Sequence, residues 1–75
     1  MNTRENVAAE IRAAMGRNRV TQTALADKIT MSRASLSASL NGLRAFDTDE
    51  LAEIGTALGV DPMTFLLDVS LRASA

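Results

Sequence analysis

Few side chains in this chain of 75 residues could perform catalysis or hold a metal. The sequence has no histidine and no cysteine, so it lacks an imidazole base, a thiol nucleophile and the usual zinc ligands. Its only lysine, Lys28, is outside the Ser-x-x-Lys spacing that activates a serine. Asp47 and Asp49 begin like a calcium loop, but the glycine and terminal glutamate of such a loop are missing. We therefore expect no enzymatic activity, no metal or other cofactor, and no small-molecule ligand.

The charged side chains are divided unevenly along the chain, although the formal net charge is only −1. Residues 1–44 carry seven cations and three anions, whereas residues 45–75 carry one cation and six anions. A basic half beside an acidic half indicates a polyanion as partner for the basic end. A dipolar surface that serves only solubility explains the same pattern, so charge alone leaves both interpretations open.

Apolar residues make up 47% of the chain, but no stretch of them is long enough to cross a membrane. The longest uncharged stretch, 34–43, is half polar, and the charged amino terminus lacks the apolar segment of a signal peptide. We therefore expect a soluble cytoplasmic protein with no membrane partner.

The elements that must position any functional side chain are helices, since the apolar residues follow a helical repeat and show no strand-like alternation. The five predicted helices are 3–16, 22–29, 33–40, 48–58 and 62–72. Their predicted N-caps are Asn2 or Thr3, Thr21, Ser32, Asp47 and Asp61, and the predicted stops include Gly16, Asn41, Gly42 and Gly59. The fold class is all-α, with residues 1–75 forming a single domain.

One face of each of the first four helices is apolar and is expected to pack inward. The residues expected in the core are Val7, Ala8, Ile11, Ala14, Met15, Leu25, Ala26, Ile29, Leu36, Leu40, Leu43, Leu51, Ile54, Gly55 and Leu58. Helices 22–29 and 33–40 are too short to persist alone in water, so the other helices must hold them.

The stretch 21–42, TQTALADKITMSRASLSASLNG, places these two short helices on either side of a tight turn. It resembles the helix-turn-helix of the Cro/C1-type family of DNA-binding proteins, which includes phage repressors and XRE-like proteins. The matching residues are Thr21, Gln22, Leu25, Ala26, Ile29, Ser32, Arg33, Leu36, Asn41 and Gly42. With the likeness of residues 51–60 and the Asp61-Pro62 helix start, the resemblance covers roughly 7–67. It implies a compact five-helix, lambda-repressor-like domain with a central helix-turn-helix.

The resemblance also implies a function, namely a sequence-specific transcriptional regulator that occupies an operator on double-stranded DNA. A phage or prophage repressor, a Cro-like protein and an antitoxin-like protein are the forms that we expect. In this family helix 33–40 would lie in the major groove, and Gln22 would contact a backbone phosphate. Asn41 and Arg44 would contact the backbone beyond the recognition helix.

Helical geometry indicates which side chains of helix 33–40 face DNA. A rotation of about 100° per residue places Ala34, Ser37, Ala38 and Asn41 away from the inward-facing Leu36. Arg33 could bind a guanine through two hydrogen bonds, and Ala34 or Ala38 could contact a thymine methyl group. The candidate DNA-binding residues are Thr21, Gln22, Ser32, Arg33, Ala34, Ser35, Ser37, Ala38, Asn41 and Arg44.

Each assignment has a plainer alternative. Arg33 could be a solvated cation, Ser32 and Asn41 could serve only as helix caps, and the alanines could reflect helix propensity alone. Arg17 and Arg19 are expected to complement the helix dipole rather than to contact phosphate.

The sequence departs from the family pattern in two places. The family usually has glycine in the turn where Thr30 stands, so we expect either a strained left-handed threonine or a reshaped turn. The family also tends to have an apolar residue at Ser39 and a polar one at Leu40, so we expect the inner face of helix 33–40 to rotate slightly.

A single recognition helix covers only a few base pairs, so we expect a homodimer on half-sites about 34 Å apart. Helix 62–72 has a second apolar stripe, Met63, Leu67 and Leu71, which is the candidate dimer interface. The stripe could instead cover the first helix or meet a further domain. The alternative function is a protein-interaction module, in which the basic half of the helix-turn-helix binds an acidic protein.

Overall fold

The structure is a computed structural model, and it describes residues 3–61. Over that range the chain forms four α-helices and no strand, which confirms the all-α class: α1 is Thr3–Arg17, α2 is Gln22–Lys28, α3 is Arg33–Leu40 and α4 is Thr48–Leu58. These bounds agree with the predicted ones to within one residue. Four helices are found instead of five, because the predicted helix 62–72 lies outside the described residues.

The predicted caps explain why the short helices begin and end where they do. The hydroxyl of Thr21 accepts a hydrogen bond from the backbone of α2, and that of Ser32 accepts one from the backbone of α3. Asp47 and Glu50 form a complete capping box, since the side chain of each accepts from the backbone N–H of the other at 2.7 and 2.9 Å. Gly59 ends α4 in the left-handed conformation with φ 70°.

α1 ends within one residue of its predicted stop at Gly16. The helix continues to Arg17, and the chain then reverses at Arg19, which has φ 56°. Val20 donates a backbone hydrogen bond to Met15 at 2.9 Å and closes the helix end. Arg19 thus takes a left-handed conformation that costs an L-residue about 1–2 kcal/mol.

One apolar core joins the four helices, with α1 packed against α3 and α2 packed against both α3 and α4. The buried apolar side chains are Val7, Ala8, Ile11, Ala14, Met15, Leu25, Ala26, Met31, Leu36, Leu40, Leu51, Ile54 and Leu58. Ile29 is partly buried against this core, and Gly55 is buried. The predicted inward faces are therefore correct in all but one position.

The expectation that Leu43 packs inward is wrong, since 76% of this residue is exposed. The expectation assumed that the helical rotation continues beyond Leu40. α3 ends at Leu40, and the chain turns through Asn41 and a left-handed Gly42 with φ 77°. Leu43 therefore lies on the surface of the loop that leads to α4.

Candidate nucleic-acid interface

The outer face of α3 is exposed at Ala34 and partly accessible at Ser37 and Ala38, so it is more accessible than the inner face, as predicted. Ala34 is exposed and Ser37 and Ala38 are half-buried, whereas Leu36 and Leu40 on the opposite face are almost fully buried. An α-helix enters the major groove only when one face packs on a scaffold and the other stays free. α3 satisfies this condition, and its outer side chains are small enough to permit close approach to base edges.

Arg33 lies at the exposed amino-terminal end of α3. Its guanidinium donates one long hydrogen bond, 3.4 Å, to the hydroxyl of Thr23 in the first turn of α2. Among the described residues it has no other hydrogen bond or ion pair. Arg33 is exposed, and its bond to Thr23 links the first turns of α2 and α3.

Other candidate residues lie at these same two helix starts. Thr21 and Gln22 are exposed at the start of α2, and Ser32 is exposed at the start of α3. Ser35 is half-buried, and its backbone N–H donates to the Ser32 hydroxyl at 3.1 Å. Hydroxyl groups and free N–H groups at two adjacent helix starts are the donors that commonly bind DNA phosphates.

The carboxyl-terminal end of α3 is bonded to the rest of the protein. The amide group of Asn41 donates to the backbone oxygen of Ser37 at 2.9 Å, so this side chain acts as a helix cap. Arg12 on α1 donates to the backbone oxygen of Leu40 at 3.0 Å. A cation at this position also complements the negative end of the α3 dipole. Arg12 was not among the candidate residues, because it lies 28 residues from Leu40 along the chain.

Arg44, the predicted contact to the DNA backbone, is bonded to Glu50 of α4. Its guanidinium binds both carboxylate oxygens of Glu50, at 2.9 and 2.7 Å, and donates to the hydroxyl of Ser39 at 3.0 Å. The hydrogen bond from Arg44 is the main cause that lowers the pKa of Glu50, whose side chain is only 12% exposed. The same bond raises the pKa of Arg44. A phosphate at this position would have to compete with Glu50.

The inner face of α3 includes both Ser39 and Leu40, and the slight rotation expected of this face stays a prediction. Ser39 and Leu40 are both buried, at 0% and 1% exposure. The hydroxyl of Ser39 is satisfied there by Arg44. The unusual serine is therefore explained by a polar partner that lies in the following loop.

The turn between α2 and α3 is reshaped at Thr30. Within residues 3–61 Arg19 is the only non-glycine residue with positive φ, so Thr30 is not left-handed. Ile29, which ends α2, is extended with φ −126° and ψ 173°. The backbone N–H and the hydroxyl of Thr30 both donate to the carboxylate of Glu53, at 3.2 and 2.9 Å. The turn thus avoids the left-handed strain that threonine would have introduced.

Neither a metal-binding cluster nor a membrane-spanning helix is found among the described residues. From residue 3 to residue 61 there is no cluster of carboxylates that could hold a metal ion, and no helix could span a bilayer. A shallow depression of about 320 Å³ lies between α2 and α4, where it is lined by Lys28, Ala52, Glu53, Thr56 and Ala57.

Comparisons with known proteins agree with this geometry. Residues 6–64 match the family described as helix-turn-helix domain, a range that includes every candidate residue on α2, α3 and the following loop. The fold is similar to the crystal structure of the clp gene regulator ClgR from Corynebacterium glutamicum, with a TM-score of 0.85 and 26% sequence identity. This similarity covers 99% of the present chain and 83% of the other. No curated protein matches the chain. The family match is to helix-turn-helix domains in general and does not single out the Cro/C1-type branch.

Proposed function

Because the chain belongs to the helix-turn-helix domain family, we propose that it is a sequence-specific DNA-binding transcriptional regulator with α3 as its recognition helix. It acts in the cytoplasm by occupying an operator so that polymerase is excluded, as a phage-type or Cro-like repressor does. The observation that carries the proposal is the open outer face of α3, with Arg33 and Ala34 exposed while Leu36 is buried.

Base contacts and phosphate contacts are assigned to different residues in this proposal. Arg33 binds a guanine, and Ala34 and Ala38 contact thymine methyl groups. Phosphate contacts, which position the protein without reading sequence, come from helix starts and from the loop after α3. The residues proposed for phosphate contact are Thr21, Gln22, Ser32, Ser35, Asn41 and Arg44, and Ser37 lies against the groove floor.

The active form is proposed to be a homodimer on two half-sites about 34 Å apart. The candidate interface residues Met63, Leu67 and Leu71 lie outside the described residues and rest on the sequence alone. A Leu67→Glu/Leu71→Glu double variant should sediment as a monomer at concentrations where the native chain is dimeric. An unchanged sedimentation coefficient, with helicity retained, would remove this interface from the proposal.

Selection from a pool of random duplexes, followed by sequencing, tests the proposed function directly. We expect enrichment of one short motif, present as two half-sites separated by about one helical turn, 10–10.5 base pairs. Recovery of random sequences at the level of the starting pool would contradict sequence-specific binding.

The alternative, a protein-interaction or antitoxin-type module, is favoured by the exposed Leu43, which offers an apolar contact beside the basic half of the chain. Salt distinguishes DNA binding from an apolar protein interface at Leu43. Affinity for DNA should fall log-linearly with salt, with a slope of about −0.9 for each phosphate neutralised. A mainly apolar protein interface should respond weakly to the same change.

A further inference from the structure

Glu53 joins α4 to the turn of the helix-turn-helix. One carboxylate oxygen accepts from the backbone N–H of Thr30 at 3.2 Å, and the other accepts from the Thr30 hydroxyl at 2.9 Å. The two residues are 23 positions apart, and Glu53 lies outside the motif at 21–42. Two hydrogen bonds to one carboxylate restrain both the distance and the orientation of the two groups.

The end of α2 frees the backbone N–H of Thr30 to bond to Glu53. α2 stops at Lys28, and the extended Ile29 takes Thr30 out of the helical hydrogen-bond pattern. The Thr30 N–H bonds instead to the carboxylate. Two residues later Ser32 caps α3, so the position of Thr30 influences the direction in which α3 begins.

We propose that Glu53 is a positioning residue for DNA recognition, which fixes the turn so that Arg33 meets its base at the correct angle. The inference rests on the proposed function. Arg33 follows Thr30 by only three residues, and its own contact is the long bond to Thr23. The direction of the Arg33 side chain therefore depends on the backbone that the Glu53 carboxylate holds.

The sign of the effect separates positioning from simple electrostatics. Glu53 is an anion in a protein that would bind a polyanion, so removing its charge should tighten binding to any DNA. Loss of positioning should instead weaken binding to the selected sequence alone. The two accounts therefore predict opposite changes on the selected duplex.

The experiment compares variants of the full chain on the duplex recovered by selection and on a random duplex, at one salt concentration. We expect Glu53→Ala to weaken binding to the selected duplex about three- to tenfold while binding to the random duplex stays equal or tightens. Glu53→Gln keeps an oxygen acceptor for Thr30 and should remain within about twofold of the native affinity. Asp49→Ala removes an exposed anion of the same helix that makes no contact with the turn, so it should not weaken binding to either duplex.

Thr30→Ala removes the hydroxyl that bonds to Glu53, so it tests the same contact from the side of the turn. It also keeps the inference testable if Glu53→Ala fails to fold. It should also weaken binding to the selected duplex only, and the Thr30→Ala/Glu53→Ala double variant should lose less than the product of the two single losses. Three outcomes would each overturn the inference. They are a double-variant loss equal to the product of the two single losses, equal losses on both duplexes, and a Glu53→Ala variant that behaves like Asp49→Ala. If the native chain itself does not discriminate between duplexes, the proposed function is wrong and the inference falls with it.

Discussion

The two ends of α3 are treated differently by the rest of the protein. At the amino-terminal end, Arg33 is exposed and, in the part of the chain that the structure describes, makes one long hydrogen bond, 3.4 Å. At the carboxyl-terminal end, Arg12 bonds the backbone of Leu40, and Arg44 joins Ser39 to Glu50 at distances of 3.0 Å or less. Both ends are basic, but the arginines at the carboxyl-terminal end bond to other parts of the protein.

This difference shows that cationic charge alone does not identify a nucleic-acid contact. Arg33 and Arg44 carry the same charge and flank the same helix. Arg44 has a carboxylate that binds both of its terminal nitrogens, whereas the partner of Arg33 within residues 3–61 is a neutral hydroxyl. Sequence reading is therefore expected at the amino-terminal end of α3, and structural support at the carboxyl-terminal end.

The largest expected effect is the loss of stability when a buried side chain at the carboxyl-terminal end of α3 is truncated. Leu40 is 1% exposed, so Leu40→Ala should lower the free energy of unfolding by about 2–5 kcal/mol. Leu43→Ala is the matched control, because Leu43 is 76% exposed, and it should change stability by no more than about 0.5 kcal/mol. Urea denaturation of both variants measures the contrast. Equal losses would mean that the loop after α3 is packed.

The next effect distinguishes Arg33 from Arg44 by comparing the DNA affinity and the stability of their alanine variants. Arg33→Ala should cost about 1–3 kcal/mol of binding to the selected duplex and leave stability almost unchanged. Arg44→Ala should reduce stability, because it removes the bonds to Ser39 and Glu50. Its proposed phosphate contact does not read sequence, so affinity for both duplexes should fall alike and the ratio of selected to random affinity should stay intact. Titrations on both duplexes, together with denaturation curves, check the pair. Equal Arg33→Ala losses on both duplexes would reduce Arg33 to a phosphate contact.

A smaller effect tests the turn that ends α3. Gly42 has φ 77°, and a Cβ there would lie 3.0 Å from Cγ of Glu5. Gly42→Ala should therefore lower the free energy of unfolding by about 1–2 kcal/mol. Gly16→Ala is the control, since a Cβ there would meet no atom of the described residues within 4 Å beyond its own helical turn, and it should stabilise by about 0.5–1 kcal/mol. A neutral Gly42→Ala would show that the turn can adopt another conformation.

The smallest effect is a pH dependence at the carboxyl-terminal end. The pKa of Glu50 is lowered in the folded protein, chiefly by the hydrogen bond from Arg44, so the ionised carboxylate favours folding. This contribution is fully present above the unfolded-state pKa, about 4.3, and is lost as the pH falls through the folded pKa. The free energy of unfolding should therefore decrease below about pH 5, and less steeply in Glu50→Gln and Arg44→Gln. Identical slopes in all three proteins would contradict a coupled pair.

The sequence predicted the features of this fold that depend on neighbouring residues. Thr21, Ser32 and Asp47 each accept a hydrogen bond from a residue three positions ahead, so a short stretch of sequence contains the whole interaction. The helical repeat likewise contains the information on which face is buried. The helix bounds and the open face of α3 were predictable for this reason.

The contacts that hold the helix-turn-helix in place could not be predicted in the same way. Arg12 meets Leu40 across 28 residues, and Glu53 meets Thr30 across 23, so each contact exists only once the helices have packed. Leu43 was misplaced because a helical rotation was extended beyond the left-handed Gly42. Arg44 has the residue type of a phosphate contact, and only the folded chain shows the carboxylate beside it.

The outer face of α3 has a consequence for how this protein could change over evolutionary time. The side chains that hold the fold, such as Leu36 and Leu40, are separate from those available to a ligand, such as Ala34 and Ser37. Replacements at the outer positions can therefore alter the preferred target while the thermodynamic cost to the scaffold stays low. Duplicated copies of such a gene could acquire new targets one side chain at a time, without passing through an unfolded intermediate form.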